Sequence, residues 1–294
     1  MTTTAPAPGA SHGAATHTPR LTFGGILRSE FIKLFTVRST FWCIVIIIVL
    51  SVGFGLLAAT VQAPARAGAP VAPALTVAQQ QAQAVSYATI GSEIGELVLA
   101  VLGALVITGE YGTGMIRSTL AAVPKRTPAL IGKAIVLAVT SFIVGLVSLF
   151  GTAAAIFPLL PGTKNIHPDW TDWHVVESLL GGAVYLALIA LIAFSVGAIV
   201  HNSAGGIAAA LGLVLVLPGL VALFGALTGL DWIKNIGVVL PSAVGGNLSD
   251  YGGRTTQVVS GLLTLDRLDS GLVLLGWFVV LFIVAAVLLK RRDA

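Results

Sequence analysis

The sequence GEYGTGMIRSTLAAVPKR, residues 109–126, is a short polar insert between two strongly apolar runs. Its glycines can break a helix that has left a membrane, and Pro124 can end a short helix before the next apolar run begins. Within the insert, apolar residues recur at spacings of three and four: Met115, Ile116, Leu120 and Val123. This pattern predicts a short amphipathic helix whose apolar face could dock a soluble partner. A plain connecting loop is the alternative.

The apolar runs on either side are long enough to cross a lipid bilayer. Hydrophobic residues make up 56% of the chain and charged residues 10%, and the mean hydropathy is +0.97, whereas a soluble domain carries about 25% charged residues. A membrane-spanning helix needs about 20 mostly apolar residues. Six segments meet this requirement: 41–61, 88–108, 129–157, 176–200, 204–227 and 271–289. We therefore expect an all-α membrane protein with six transmembrane helices, in which Pro218 kinks the fifth.

The distribution of basic residues predicts the orientation. With both chain ends in the cytoplasm (N-in/C-in), the cytoplasmic segments hold 11 of the 16 Lys and Arg residues, as the positive-inside rule requires. Residues 1–19 are rich in Thr, Ala and Pro and lack the regions of a secretory signal, which predicts a disordered cytoplasmic tail. Residues 20–294 are expected to form a single multi-pass domain in the cell membrane.

An interfacial amphipathic helix is predicted just before the first span. Its apolar residues fall mostly on one side of a helical wheel: Phe23, Ile26, Leu27, Phe31, Leu34 and Phe35. Arg28, Ser29 and Lys33 fall largely on the other side, near anionic lipid. Glu30 and Ile32 fit this division imperfectly. A cytoplasmic extension of the first span is the alternative.

The outer connections differ from each other in character. The Gln- and Ala-rich residues 62–87 are predicted to form a loose loop or a weak helix. Residues 228–270 include a more apolar part around Trp232, which favours a partly re-entrant outer hairpin before the last span. On the cytoplasmic side the link at His201 is very short, so this histidine is interpreted as a helix-end interface residue and not as a ligand.

Two carboxylates must belong to the second span, because its uninterrupted apolar part is too short to cross the bilayer. Residues 97–108 provide only about 18 Å of helix, against a hydrocarbon core of about 30 Å. Glu93 and Glu96 are therefore expected within or near the outer half of the bilayer, close to the small residues Gly91 and Gly95. They could line a pathway or an outer gate. Interfacial snorkelling or a structural hydrogen bond is an equally open interpretation.

Sequence signatures of catalysis are absent from the chain. It has no G-x-x-x-x-G-K-[ST] loop, no H-E-x-x-H and no G-x-S-x-G. We therefore expect that this chain is not an enzyme and carries no metal or cofactor of its own. The basic residues are scattered at membrane edges and form no continuous stripe, so no nucleic acid is expected among its partners.

Six spans, an amphipathic N-terminal helix and a polar insert after the second span resemble the membrane subunits of the ABC type-2 transporter permease family. The resemblance is strongest in Gly109-Glu110-Tyr111-Gly112-Thr113-Gly114, followed by Ile116-Arg117 and Pro124-Lys125-Arg126, with Lys133 beginning the third span. A second, weaker similarity is Leu240-Pro241-Ser242-Ala243-Val244-Gly245. The family often shows Leu-Pro-Ser-Asn-Ala-Gly there, so Ala243-Val244 is a departure. The topology match covers about residues 20–292.

The resemblance implies that the chain is the permease subunit of an ATP-driven ABC exporter. A separate ABC ATP-binding subunit would bind ATP and Mg, and a second permease copy or a related permease would complete the assembly in the lipid bilayer. Residues 110–123 would form a coupling helix seated in a cleft of that ATPase. The ATPase-coupling residues would be Glu110, Tyr111, Gly112, Thr113, Gly114, Met115, Ile116, Arg117, Leu120 and Pro124. The pathway or outer gate would include Glu93, Glu96 and Pro241.

Two other functions remain compatible with the sequence. An ion-coupled secondary transporter would use Glu93 or Glu96 as its proton carrier and would need no ATPase. A non-transporting membrane scaffold would use the insert after the second span merely to recruit a partner.

Overall fold

The computed structural model describes residues 22–61, 75–113, 126–252 and 262–291, and in these ranges the regular structure is helical. Helix α1, Phe23–Thr36, begins where the Thr22 side chain accepts a hydrogen bond from the Gly25 N–H. Helix α2, Arg38–Thr60, follows after a single extended residue, Val37. Because the backbone leaves the helical conformation at Val37, α1 is a separate helix and not an extension of the first span. The predicted amphipathic helix is thus confirmed as an element.

The later helices are α3 (Val77–Thr89), α4 (Ser92–Thr113), α5 (Arg126–Ile156), α6 (Leu160–Lys164), α7 (Trp173–Val200), α8 (Ser203–Leu211), α9 (Leu217–Thr228), α10 (Asp231–Val238), α11 (Pro241–Ser249) and α12 (Arg267–Arg291). Six helical stretches in the described residues are long and apolar enough to cross a membrane: Arg38–Thr60, Val77–Gly112, Thr127–Ile156, Trp173–Val200, Ser203–Thr228 and Arg267–Arg291. The six predicted spans are therefore confirmed as apolar helices.

The second stretch differs most from its predicted bounds, 88–108. It consists of α3 and α4, and the weak-helix alternative for part of residues 62–87 is correct from Val77 onward. Thr76 starts α3 with a capping box, in which its side chain and that of Gln79 each accept a hydrogen bond from the other's backbone N–H. The two helices meet at Gly91, where an added Cβ would lie 2.3 Å from the Ser51 Cα of α2. This close approach agrees with the predicted packing of small residues in the second span.

The fifth stretch changes its hydrogen-bonding pattern in the middle. A π-helical turn, Gly212–Val216, joins α8 to α9, and Pro218 lies in the first turn of α9. Proline has no N–H to donate to the carbonyl four residues earlier, and its ring crowds that carbonyl. The wider π turn is therefore where this span accommodates the proline that the sequence predicts as its irregular point.

Helix α7 lies at the centre of the bundle, with most of its residues buried, and contacts α4, α5, α11 and α12. Its contact with α4 depends on Gly103, where an added Cβ would lie 2.2 Å from the Ala190 carbonyl oxygen. By contrast α2, α8–α9 and α12 have few buried residues and expose apolar side chains. The bundle thus has a packed middle and broad apolar flanks.

The connection between α9 and α12 begins with a helical hairpin. An added Cβ at Gly225 of α9 would lie 3.3 Å from Lys234 Cγ, and one at Gly237 of α10 would lie 3.4 Å from Val221 Cγ1. Since the earlier residue of α9 meets the later residue of α10, the two helices run antiparallel. The Trp277 indole N–H of α12 donates to the Val239 carbonyl at 2.9 Å and fixes the end of α10.

Helix α11 contains the second sequence motif, Leu240–Gly245, and its residues have clear structural roles. Leu240 is extended, as a residue before proline prefers, and Pro241 starts the helix in a buried position. An added Cβ at Gly245 would lie 1.9 Å from the Tyr185 ring of α7, so only glycine fits there. At the departure from the family pattern, Val244 is fully buried and Ala243 is exposed.

Candidate functional site

Four charged side chains from α1, α4 and α5 form a closed ring of ion pairs, hereafter the charge ring: Glu30, Lys33, Glu110 and Lys133. Lys133 Nζ lies 2.5 Å from Glu30 Oε2 and 2.9 Å from Glu110 Oε1. Lys33 Nζ lies 2.8 Å from Glu30 Oε1 and 3.2 Å from Glu110 Oε1. Each lysine therefore bridges both carboxylates, although the two carboxylates are 80 residues apart in sequence.

The charge ring is mostly buried. Glu30, Glu110 and Lys133 are 4%, 6% and 6% exposed, while the side chain of Lys33 is one-third exposed. Taking a single charge out of water costs several kcal/mol, so such groups persist inside a protein only when paired. Burial raises the pKa of Glu30, but the charges and hydrogen bonds of Lys133 and Lys33 outweigh burial and hold the pKa below its ordinary value of 4.5. Glu30 is therefore an anion at neutral pH, as the ring requires.

The face that α1 turns toward the bundle is one edge of the apolar side that the sequence predicts. Ile26, Glu30 and Leu34, spaced four apart, are buried, and an added Cβ at Gly132 of α5 would lie 2.8 Å from Ile26 Cγ2. The exposed apolar residues are Phe23, Phe31, Ile32 and Phe35. The predicted apolar side is therefore divided: Ile26 and Leu34 pack toward the bundle, and the phenylalanines are exposed. Glu30 lies between Ile26 and Leu34 on the packed edge and pairs with Lys133.

Beside the charge ring lies a cavity of about 410 Å³ between α1, the start of α2, α4 and α5. The charge-ring residues line one part of it. Apolar side chains line another part: Leu34, Leu102, Leu105, Val106, Val136 and Leu137. Thr36, Val37 and Ser39, which are exposed, lie at its edge. The cavity thus combines a charged part with an apolar part at one end of the bundle.

The predicted coupling residues fall partly inside the described structure. Glu110 belongs to the charge ring, and the Tyr111 ring contacts His201 edge-on, with centroids 4.5 Å apart. Gly112 lies near Ser203, and Thr113 is the last residue of α4. Gly114, Met115, Ile116, Arg117, Leu120 and Pro124 lie outside the described residues, as does most of the predicted helix 110–123.

His201 occupies the helix end that the sequence predicts for it. It follows the last residue of α7 with a left-handed backbone, φ 60°, and its Nδ1 lies 2.8 Å from the Ile199 carbonyl oxygen. The next helix is tied to α4 by the Ser203 hydroxyl, which donates to the Thr108 carbonyl at 3.3 Å. The α7–α8 turn therefore supports the end of α4 just before the polar insert.

The other predicted site residues are not brought into one place. Glu93 is exposed and Glu96 half-buried, beside Gly91 and Gly95, which pack on α2. Within the described residues neither carboxylate has a hydrogen-bond partner. Pro241, by contrast, begins α11, which packs on α7 and α12. The structure therefore gives the two acids no shared site with Pro241.

A second polar cluster joins α7, α11 and α12 at the opposite end of the bundle. An Arg267 guanidinium nitrogen lies 2.6 Å from Glu177 Oε2, and another donates to the Ser178 hydroxyl at 3.0 Å. The Tyr251 hydroxyl donates to Asp172 Oδ2 at 2.5 Å, and this bond raises the pKa of Tyr251 to about 12. The cluster therefore connects α12 and the residues after α11 to the start of α7.

The sequence profile of the ABC-2 family transporter proteins matches residues 26–223, about two thirds of the chain. The chain belongs to the ABC-2 family. The matched region runs from the buried face of α1 into α9 and includes every residue of the charge ring. A comparison with curated proteins gives no significant match. Membership and the six apolar helices make the chain a multi-pass protein of the plasma membrane and a membrane component of an ABC transporter.

Proposed function

We propose that this ABC-2 protein is the permease subunit of an exporter that a separate ATP-binding subunit drives. The observation that carries the proposal is the position of the charge ring. Glu110 lies three residues before the end of α4, and Lys133 lies seven residues after the start of α5. The ring therefore joins both stems of the polar insert to each other and to α1.

This arrangement gives the insert a mechanical connection to the spans. When a partner displaces residues 114–125, α4 and α5 cannot separate or rotate independently without breaking buried ion pairs. The Tyr111–His201 contact extends the connection to the end of α7. Movement of the partner would then reach the centre of the bundle through α4, α5 and α7. The partner would bind ATP and Mg, and this chain would hydrolyse no ATP.

The proposed orientation places both chain ends and the charge ring on the cytoplasmic side. From Glu110, α4 rises about 21 Å to Glu96 and about 26 Å to Glu93, so both acids would lie in the outer third of a core about 30 Å thick. The α9–α10 hairpin would return toward the membrane from the outer side, as a partly re-entrant segment does. The exposed apolar flanks of α2, α8–α9 and α12 would face lipid and a second permease, either a second copy or a relative.

The experiment that tests this function is purification of the tagged chain from its membrane in mild detergent. We expect an ABC ATP-binding subunit to co-purify, and ATP hydrolysis to require that subunit. The permease alone should show no hydrolysis above background. If the chain is recovered without any ATPase from membranes that are active in transport, the proposal is contradicted. That result would favour a secondary transporter or a scaffold.

The orientation makes a separate prediction for cysteine labelling. In a Cys43→Ala background, Thr171→Cys lies on the exposed α6–α7 connection, and Arg291→Cys lies at the exposed end of α12. We expect a membrane-impermeant maleimide to label the Thr171→Cys protein in intact cells and the Arg291→Cys protein only after lysis. Labelling in the reverse order would show that the bundle is inverted.

The pathway role proposed for Glu93 and Glu96 predicts a loss of transport without a loss of assembly. Replacing both by Gln keeps their size and removes their charge, so export should fall by about tenfold, the scale of a charge-assisted hydrogen bond. Asp231→Asn is the control, because Asp231 pairs with Lys234 on an exposed surface. Unchanged export would make the two acids interfacial residues. Proton-driven uptake by the parent without ATP would instead support a secondary transporter.

A further inference from the structure

We infer that the cavity beside the charge ring binds a membrane amphiphile with a protonated primary-amine headgroup. The first observation is the composition of the cavity wall. A volume of about 410 Å³ falls in the range of about 300–1,000 Å³ that is usual for small-molecule sites. Charged residues line one part, and apolar side chains, most of them from α4 and α5, line another. A ligand that fits such a wall has a polar head and an apolar chain.

The hydrogen bonds of the charge ring indicate which headgroup the cavity can bind. Both lysines already donate to both carboxylates, and the ring is electrically neutral. Glu110 Oε2, however, is buried and accepts no hydrogen bond from any described residue. A buried carboxylate oxygen without a donor is costly. Glu110 lines the cavity, so a donor that enters the cavity can approach this carboxylate. The unfilled capacity is therefore for an N–H donor, and a protonated primary amine supplies three such donors.

The position of the cavity gives an amphiphile access from the bilayer. Its edge is formed by exposed residues at the α1–α2 junction, next to Phe41 and Trp42, whose side chains are 61% and 60% exposed. Aromatic side chains of this kind concentrate at the level of lipid headgroups. An amphiphile in that leaflet can therefore insert its amine beside Glu110 and its chain along α4 and α5. Binding at this site needs a bilayer and does not depend on an ATPase.

The test uses the full chain in phosphatidylcholine nanodiscs, because choline headgroups have no N–H. The probe is a twelve-carbon primary amine that carries a photoactivatable diazirine in its chain. We expect cross-links in residues 102–109 and 133–137. Dodecylamine should compete about tenfold better than dodecyltrimethylammonium, which has the same charge but no N–H, since a hydrogen bond to a charged group has about that effect on affinity. Equal competition by dodecylamine and dodecyltrimethylammonium would overturn the proposal.

Three variants separate specific binding at the site from general partitioning into lipid. Leu105→Trp fills the cavity without changing the ring and should lose most of the cross-linking. Val139→Trp, on an exposed face of α5 outside the cavity, should retain it. Glu110→Gln should lose the preference for the primary amine. If Leu105→Trp cross-links as strongly as Val139→Trp, the amine does not occupy the cavity and the inference is wrong.

The same amine chemistry could come from a resident ethanolamine lipid or from cargo. Native mass spectrometry of the purified parent and of Leu105→Trp distinguishes the two sources. An ethanolamine phospholipid retained by the parent and lost from the variant assigns a structural lipid. Stimulation of the partner's ATP hydrolysis by dodecylamine, absent in Leu105→Trp, assigns cargo. If the chain fails to co-purify with an ATPase, cross-linking still tests the site, so this inference and the proposed function can fail separately.

Discussion

Lys133→Met is expected to destabilise the bundle by about 3–5 kcal/mol, the usual effect of removing one member of a buried ion pair. The substitution leaves Glu30 and Glu110, both almost fully buried, with Lys33 as the only cation of the ring. The loss comes less from the missing attraction than from two carboxylates that remain without water or adequate neutralisation. Unfolding of the purified protein in a detergent titration, followed by circular dichroism, measures the change in the free energy of unfolding.

The second substitution Glu110→Gln should restore part of that stability. Lys133→Met with Glu110→Gln removes one positive and one negative charge, and the remaining Glu30–Lys33 pair is again neutral. We therefore expect the double variant to be more stable than Lys133→Met alone, a non-additivity typical of residues in one network.

Lys234→Met is the matched control for the loss of a lysine. Lys234 pairs with Asp231 at 3.2 Å, but both side chains are substantially exposed, so this substitution should change stability by no more than about 1 kcal/mol. Equal effects of Lys133→Met and Lys234→Met would mean that the charge ring does not hold the three helices together.

Local features of the sequence account for much of the fold. Apolar runs of sufficient length predict all six spans, because hydropathy and helix length are properties of single segments. The separate helix before the first span follows from its apolar periodicity, and the irregular point of the fifth span follows from Pro218. The start of α3 could also have been predicted, since Thr76 and Gln79 form the spacing of a capping box.

The charge ring and the cavity could not be predicted in the same way. Glu30 and Lys133 are separated by 103 positions, and no local pattern shows that α1 packs on α5. Two features of the sequence nevertheless indicate this pairing. Glu30 interrupts the apolar side of an amphipathic helix, and Lys133 lies seven residues into a long apolar span. A charge at each place is unfavourable unless it is paired, so the two opposite charges could have been considered together.

Lys133 has one role in the prediction of topology and another in the structure. Under the positive-inside rule it only adds to the cytoplasmic excess of basic residues. In the structure it is 6% exposed and contacts two carboxylates from other helices, so its role in the bundle is specific. A buried basic residue near the end of a span therefore indicates an acidic partner on a neighbouring helix.

Leu120→Asp in the polar insert is expected to separate the permease from its ATPase while the bundle itself stays intact. If residues 110–123 form the coupling helix, Leu120 lies with Met115 and Ile116 on its apolar face. Burying such a side chain in a partner's groove stabilises a complex by about 1.5–3 kcal/mol, and placing an unpaired carboxylate there is strongly unfavourable. Leu120 is not a member of the charge ring, so unfolding stability should not change.

Ala121→Asp is the matched control for Leu120→Asp, because it introduces the same charge one residue later, on the opposite face of the predicted helix. The measurements are the amount of ATPase that co-purifies with each variant and the ATP hydrolysis of the recovered complex. We expect Leu120→Asp to lose at least about ten times more of the ATPase than Ala121→Asp, since about 1.4 kcal/mol corresponds to a tenfold change in affinity. Equal losses would indicate that added negative charge, and not an apolar contact, weakens the complex. Parental levels of binding and hydrolysis in both variants would mean that the insert is only a connecting loop, and the charge ring would then stabilise the bundle without transmitting movement from an ATPase.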